Sequence, residues 1–458
     1  VNRTLPAALA AVALAGIAAP AGAYPLDAFD ETGIARLEAY RRIQEAEMPG
    51  LHLPPGARLP GDAIRLRLVG RPELRLPDPD PDFTEAVKTL LPARADAYGV
   101  AVLDLSDPEA PRYAVHRADR IQNPGSVGKV LVALAWFQAL ADAHPEDVEA
   151  RARLLRETRV EADDWIRRDH HVVPFWEPGA PRLARRPIRE GDAGNLYTWL
   201  DWMLSASSNA AAAILQKELL LLSRFGADYP VPREAAERYL EETPQDVLGR
   251  RFRAAMTEPI ERNGLDPGKL RQGSFFTRTG QARVPGTSSV ATARELLRFV
   301  VQMEKGRLVD PWSSLEIKRL LYLTDRRIRY AASRALWDFP VFFKSGSFYS
   351  CRPEPGFECG RHRGNRFNYM NSVAVVEGGE AQPDLWYAAA VLSNVLRRDS
   401  AEIHETLGER IHRLVAPAPA ETGEAGASAE PEEGADAAPA TGPEGQPPAP
   451  ETGDGGAE

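Results

Sequence analysis

The stretch Asn123-Pro124-Gly125-Ser126-Val127-Gly128-Lys129, followed by the apolar run 130–140, decides how this chain is to be read. Asn-Pro-Gly breaks whatever precedes it, since Pro fixes its own φ and Gly opens conformations closed to other residues. The run that follows has no polar face, so its pattern predicts a buried helix opening at Ser126. Ser126 and Lys129 then share one face of a helical turn, and an amine can reach a hydroxyl.

Working outward, the residue pattern predicts strands over 98–105 and 112–120, joined by the turn Asp107-Pro108 and preceded by an amphipathic helix over 82–97. Residues 141–334 read as mostly helical, with loops at 174–191 and 230–233. Strand patterns return at 340–347, 369–377 and 385–394, and an amphipathic helix closes the body over 398–415. Strands, a helical insert and strands again imply an α/β (α+β) fold. An antiparallel sheet assembled from both chain ends would be flanked by N- and C-terminal helices, with an all-helical lobe inserted. The expected domain spans 82–415, with a sheet lobe of 82–125 and 335–415 and a helical lobe of 126–334. Residues 24–81 form an extension, with a helix expected over 33–47 and strand alternation in Ile64-Arg65-Leu66-Arg67-Leu68-Val69.

The chain has 458 residues and 56 Lys plus Arg, of which only seven are Lys. Arg keeps its proton near neutral pH, whereas a buried Lys can lose one, so a Lys in this background marks a place where an amine is needed. The net charge of −9 comes from the end of the chain, because 417–458 hold ten acidic and no basic residues. The remaining body is near neutral and offers no basic field for nucleic acid. Rich in Ala, Pro, Gly and Glu and devoid of aromatics, the segment 416–458 is expected to be a flexible acidic tail.

Arg3, the apolar stretch 5–19 and Ala21-Gly22-Ala23 have the order of a secretory signal peptide over 1–23. Export to a bacterial periplasm or medium follows as an expectation, with no stable membrane span once the leader is removed. Cys351 and Cys359 are the only cysteines, and in an oxidising compartment a disulfide is the natural pairing, two unpaired thiols being the alternative.

Two further patterns accompany Ser126-x-x-Lys129. Ser207-Ser208-Asn209 opens an Ala-rich helix, where Ser207 can relay a proton and Asn209 can donate to a substrate carbonyl or orient Lys129. The alternative is an ordinary helix cap. Lys344-Ser345-Gly346-Ser347 ends a strand. There Ser345 and Ser347 can hold a carboxylate, Gly346 lets a substrate backbone lie along the strand edge, and Lys344 can act as a second cation. The N–H groups of Ser126 and Ser347 can form an oxyanion hole worth about 3–4 kcal/mol in a transition state. A Ser hydroxyl needs a base beside it to attack, and Lys129 serves only if its pKa is lowered.

These three motifs, in this order, resemble the serine β-lactamase and penicillin-binding protein superfamily, and look closest to class A β-lactamases. Gly99-Val100-Ala101-Val102-Leu103-Asp104, the run Ala210-Ala211-Ala212-Ala213-Ile214-Leu215 and Gly286-Thr287-Ser288-Ser289-Val290-Ala291-Thr292 add to the likeness. The resemblance implies acylation of Ser126 with Lys129 as general base and Ser207 as proton relay. Lys344, Ser345, Gly346, Ser347 and Asn209 would bind a substrate that is a β-lactam or a peptidoglycan stem peptide, and no cofactor or metal is called for.

One element departs from that pattern. Class A enzymes carry a Glu, with an Asn four residues on, shortly before the stretch that Gly286-Thr287-Ser288 resembles, and that Glu activates the water that clears the acyl-enzyme. Here the stretch 270–281 has no carboxylate. Glu258 and Glu261 lie upstream and would need an unusual loop path. A slowly deacylating enzyme, a penicillin-sensitive DD-peptidase and a non-catalytic muropeptide-binding envelope protein are the readings left open. His170-His171 with Asp163 and Asp164 match no metal-ligand spacing. Trp165, Trp176, Trp199 and Trp202 are expected as core anchors.

Overall fold

A computed structural model describes residues 28–92, 94–379 and 382–416. The signal peptide expected over 1–23 and the acidic tail over 417–458 lie outside them. Five strands form one antiparallel sheet: β1 (Tyr98–Asp104), β2 (Arg112–His116), β3 (Val341–Ser350), β4 (Phe367–Glu377) and β5 (Trp386–Asn394). Their order across the sheet is β2-β1-β5-β4-β3, so the two chain ends meet at β1 and β5 with Val102 opposite Ala389. Strand β1, flanked by β2 and β5, is buried at every position, which explains why it reads as an unbroken apolar run rather than an alternating one.

Helices cover both faces. On one, α2 (Pro81–Thr89) and the closing helix α8 (Ser400–Val415) pack Phe83, Val87, Leu407 and Ile411 against Val100, Val102, Ala374 and Val391. On the other, α6 (Ala293–Glu304) and α7 (Pro311–Tyr322) join the larger core. Through that core runs α3 (Lys129–Ala143), in which Lys129 and the residues from Val130 through Gln138 are all buried. With the turn before it, Gly125–Ala143 is the one stretch among the described residues long and apolar enough to cross a membrane, and 72% of it lies inside the fold. Helices α4 (Asn209–Phe225) and α5 (Gln245–Arg262) complete the inserted lobe, which also carries three short two-stranded ladders. Trp165, Trp176, Trp199 and Trp202 are all buried anchors.

Several boundaries differ from expectation for local reasons. Helix α2 ends at Thr89, not residue 97, because Pro92 disfavours helix in the residues before it. Strand β2 ends at His116, since Arg117 turns to φ +47°. Residues 125–128 form a 3-10 turn, so the α-helix proper begins at Lys129 rather than Ser126.

The segment 64–69 is no strand, although Ile64 and Leu68 alternate inward as one would. Its backbone groups are taken by a helix end instead of a neighbouring strand. Arg67 N donates to Glu304 Oε2 (2.9 Å), Leu68 N to Glu304 O (2.9 Å), and Arg65 O accepts from Lys318 Nζ (2.6 Å). Lys318 is fully buried and also contacts Glu304 and Glu377, at 2.7 and 2.5 Å. Helix α1 (Ala35–Gln44) is fastened by Arg36, whose guanidinium makes two 2.6 Å bonds to Asp201, both side chains being buried. Removing one member of such a pair costs roughly 3–5 kcal/mol, because the other is left charged and unmatched. Residues 28–81 are thus packed into the body through matched charges as well as through Ile34, Leu37, Ile64 and Leu68.

Cys351 and Cys359 are disulfide-bonded in the connection between β3 and β4, with Cα atoms 5.8 Å apart.

Two buried imidazoles make stability pH-dependent. His404 sits between Ser372 Oγ (3.0 Å) and Ser393 Oγ (2.9 Å), and burial first, then the Arg329 charge, push it down to about 3. His412 packs edge-on against Phe339, and burial pushes it down to about 4. The unfolded chain takes up a proton on each near the ordinary value of 6.5, whereas the fold excludes it. Stability is therefore complete above about pH 6.5 and falls as pH drops toward the folded values. At about pH 5 the loss is roughly 2 kcal/mol per imidazole. Thermal melts of wild type and His404→Gln between about pH 5 and 7.5 are expected to show a shallower acid-side decline in the variant.

Candidate active site

The turn bearing Ser126 is built by the sheet. Gln122 Nε2 donates to Asn371 Oδ1 (2.6 Å) and Asn371 Nδ2 to Asn123 O (3.1 Å), which ties the chain before the turn to β4. Gly125 adopts φ +52°, a conformation Gly takes without strain. Strand β3 then passes directly behind the turn. A Cβ on Gly346 would lie 2.4 Å from Pro124 O and from Ser126 N, so no larger residue fits. The neighbour that demands this glycine is the protein's own Ser126 turn rather than a substrate backbone. The close approach brings Ser347 alongside the backbone of residues 125–126, where its N–H and that of Ser126 can face a common oxygen.

Lys129 is fully buried, yet its Nζ has three polar neighbours: Ser126 Oγ at 2.9 Å, Ser207 O at 2.8 Å and Asn209 Oδ1 at 2.7 Å. Two of these, a carbonyl and the amide oxygen of Asn209, only accept. A neutral amine has two N–H bonds and one lone pair. With both hydrogens spent on Ser207 O and Asn209 Oδ1, the lone pair is left for the Ser126 hydroxyl. Burial pulls Lys129 down to about 7, while the Asp169 charge raises it and Arg329 lowers it further. The amine is therefore able to exchange a proton near neutral pH.

Ser207 occupies φ +63° at the head of α4. Its Oγ lies 2.8 Å from Lys344 Nζ, which also donates to Ser345 O at 2.9 Å. Burial, then the Lys129 and Arg329 charges, hold the Lys344 amine well below its ordinary range. Ser126, Lys129, Ser207, Asn209 and Lys344 thus form one connected group from three distant stretches. The capping alternative for this motif belongs to its middle residue, because Ser208 Oγ accepts from Ala211 N (3.1 Å). Capping and site-building are shared among three consecutive side chains.

Asp169 completes that helix start, a residue that no local motif singles out. Its Oδ2 accepts from Ser208 Oγ (2.9 Å) and Ala210 N (2.8 Å), and its Oδ1 faces His171 Nδ1 at 2.5 Å. The acidic residues near His170-His171 are otherwise committed, Asp163 to Lys217 and Asp164 to Arg283.

Arg329 is the second residue that sequence reading missed. It donates from Nη1 to Ser345 Oγ (2.9 Å) and from Nη2 to Ser347 Oγ (3.1 Å). Burial first, then the Arg361 charge, lower it to about 10, and it keeps its positive charge at neutral pH. The Arg329 guanidinium, the Lys344 amine and two hydroxyls therefore converge at the end of β3, a donor set suited to a carboxylate. No local pattern marked Arg329, since nothing distinguishes it from the chain's other arginines except what it touches.

The loop following Leu270–Arg271 crosses the other side of Lys129. The Phe276 ring lies against the amine, its centroid 4.5 Å from Nζ, with its backbone N donating to Gln216 Oε1 (3.1 Å). Among the described residues the hydrogen bonds to Lys129 Nζ include no carboxylate. Glu258 and Glu261 are both exposed on α5. Glu258 lines a cavity of about 480 Å³ with Asp142, Tyr239 and Arg262, at the far half of α3. Neither serves the Ser126 turn, because α5 presents them to solvent.

No known protein family matches the chain by sequence, and no curated protein does. Among solved structures, it is similar to a β-lactamase from Sphaerobacter thermophilus at 13% identity and TM-score 0.45, covering 73% of this chain and 98% of that one. A β-lactamase from Desulfarculus baarsii is similar at 17% identity and TM-score 0.45, covering 74% and 99%. One from Streptosporangium roseum is similar at 15% and 0.45, covering 73% and 99%. The chemistry assigned below rests on the contacts of this chain's own residues.

Proposed function

We propose that this chain is a serine acyl-transfer hydrolase that forms an acyl-enzyme at Ser126 on an amide bearing a nearby carboxylate. That description fits a β-lactam or a peptide ending in D-Ala-D-Ala. The supporting observation is the buried Lys129 amine, whose hydrogens are matched by Ser207 O and Asn209 Oδ1 so that its lone pair meets Ser126 Oγ. In the reaction Lys129 takes the Ser126 proton as Oγ attacks the amide carbon, and the N–H groups of Ser126 and Ser347 receive the oxyanion. Ser207, in contact with Lys344, passes a proton to the departing nitrogen. Lys344, Arg329, Ser345 and Ser347 hold the substrate carboxylate.

Phe276 favours slow deacylation over rapid β-lactam turnover. The apolar ring covers the side of Lys129 where a carboxylate-activated water would be needed, and Asp169 is already occupied by Ser208, Ala210 and His171. The enzyme then resembles a penicillin-sensitive DD-peptidase in kinetics. The signal-like leader and the disulfide suit work outside the cytoplasm, where peptidoglycan is.

Intact-mass measurement over time with benzylpenicillin tests this. A covalent adduct lasting many minutes, absent in Ser126→Ala, is the expected result. Rapid appearance and loss of the adduct with hydrolysed drug would replace the slow reading by a true β-lactamase. The absence of an adduct with any acyl donor would defeat the enzymatic reading and leave a binding protein.

A further inference from the structure

We infer that His362 is a positioning residue for the carboxylate-binding end of this pocket, its imidazole accepting from Arg329 and holding the guanidinium against Ser345 and Ser347. The inference rests on the proposed reading of that pocket. Arg329 Nη2 lies 3.3 Å from His362 Nε2. A guanidinium has donors only, so the contact has a single polarity: Nε2 carries the lone pair and the ring proton sits on Nδ1. A protonated imidazole here would face the guanidinium charge directly. Burial first, then the Arg329 and Arg361 charges, hold His362 down to about 4 against the opposing pull of Asp399, so the accepting form is the one present at neutral pH.

Arg329 needs such a partner. It occupies φ +55°, which is costly for a residue with a side chain, and its Nε is buried without a hydrogen-bond partner. The direction of its fork therefore depends on Ser345 Oγ, Ser347 Oγ and His362 Nε2. The two hydroxyls must turn their protons to an arriving carboxylate. His362 Nε2 has no proton to turn to a carboxylate, so it keeps the guanidinium aimed while the hydroxyls reorient.

His362 is itself firmly presented. Its carbonyl accepts from Ser400 N (3.1 Å) and Ser400 Oγ (3.2 Å) at the start of α8, and its ring stands edge-on to Tyr349 at 5.7 Å. In the connection 351–366 that carries it, the Cys351–Cys359 disulfide closes the stretch just before His362. A pair of bonds between Asn365 and the Arg352 backbone, 2.8 and 2.7 Å, brackets His362 itself. A positioning contact needs this kind of rigid support.

The test follows Ser126 adduct formation against donor concentration for benzylpenicillin and for its methyl ester, in which the carboxylate is masked. His362→Ala is expected to raise the half-saturating concentration of the acid about tenfold, with the limiting rate within about twofold of wild type and the ester unaffected. His362→Gln, whose Oε1 can accept from Arg329, should recover most of the loss. Equal losses on acid and ester, or no change on either while the wild type acylates normally, would overturn the inference and leave the enzymatic reading standing. A wild type that forms no adduct removes that reading, and the inference with it.

Discussion

Lys129→Arg is expected to slow acylation of Ser126 by about 10³-fold, within the 10²–10⁴ range that a positioned general base contributes. The substitution keeps a positive charge in place but removes the one property the site requires. A guanidinium does not give up its proton near neutral pH, so it cannot receive one from Ser126. Lys129→Met should be equally inactive, which separates loss of the base from crowding by the longer Arg. In the wild type the acylation rate should rise with pH and level off above about 7, because the protonated amine has no lone pair for the hydroxyl. Single-turnover rates measured from about pH 5.5 to 9 check both points. A profile flat through pH 7, or a Lys129→Arg variant that acylates at the wild-type rate, would exclude Lys129 as the base.

Phe276→Glu is expected to shorten the lifetime of the Ser126 adduct about 10²-fold or more. The ring now stands 4.5 Å from the Lys129 amine on a loop whose backbone is fixed by Gln216. A carboxylate in that place would pair with Lys129 and draw a water to the acyl carbon. It would also favour the charged amine, so acylation should slow somewhat. Phe276→Leu is the control, because it opens space without supplying a base. If Leu shortens the lifetime as much as Glu does, exclusion of water by the ring was the whole effect. If neither does, the deacylating water approaches from elsewhere.

The parts of the site legible in the sequence were those whose chemistry is encoded within four residues. Ser126-x-x-Lys129 and Lys344-Ser345-Gly346 pair a nucleophile or an oxygen donor with a rare amine, and a turn or strand end places them. The fold order was legible for a similar reason: short strand-like runs before residue 120, an apolar helix after 129, strand-like runs again after 340. Arg329, Asp169, Phe276 and His362 were hidden because their meaning arises only from contacts across long chain separations. Among 49 arginines no pattern marks the one that touches Ser345. The segment 64–69 misled in the opposite way. Its alternation reports burial on one side, which an extended chain against a helix end shows as readily as a strand.

The Ser126 turn runs directly into α3, whose residues from Lys129 to Gln138 form the centre of the larger core. Ser126 is thus mounted at the head of a rod around which the rest of the interior packs. Its placement is inherited from the whole packing arrangement. Substitutions at Trp136 or Phe137, remote from any reacting atom, would tilt that rod and blur the aim of the serine. Stability of the fold and placement of Ser126 then depend on the same side chains in this protein.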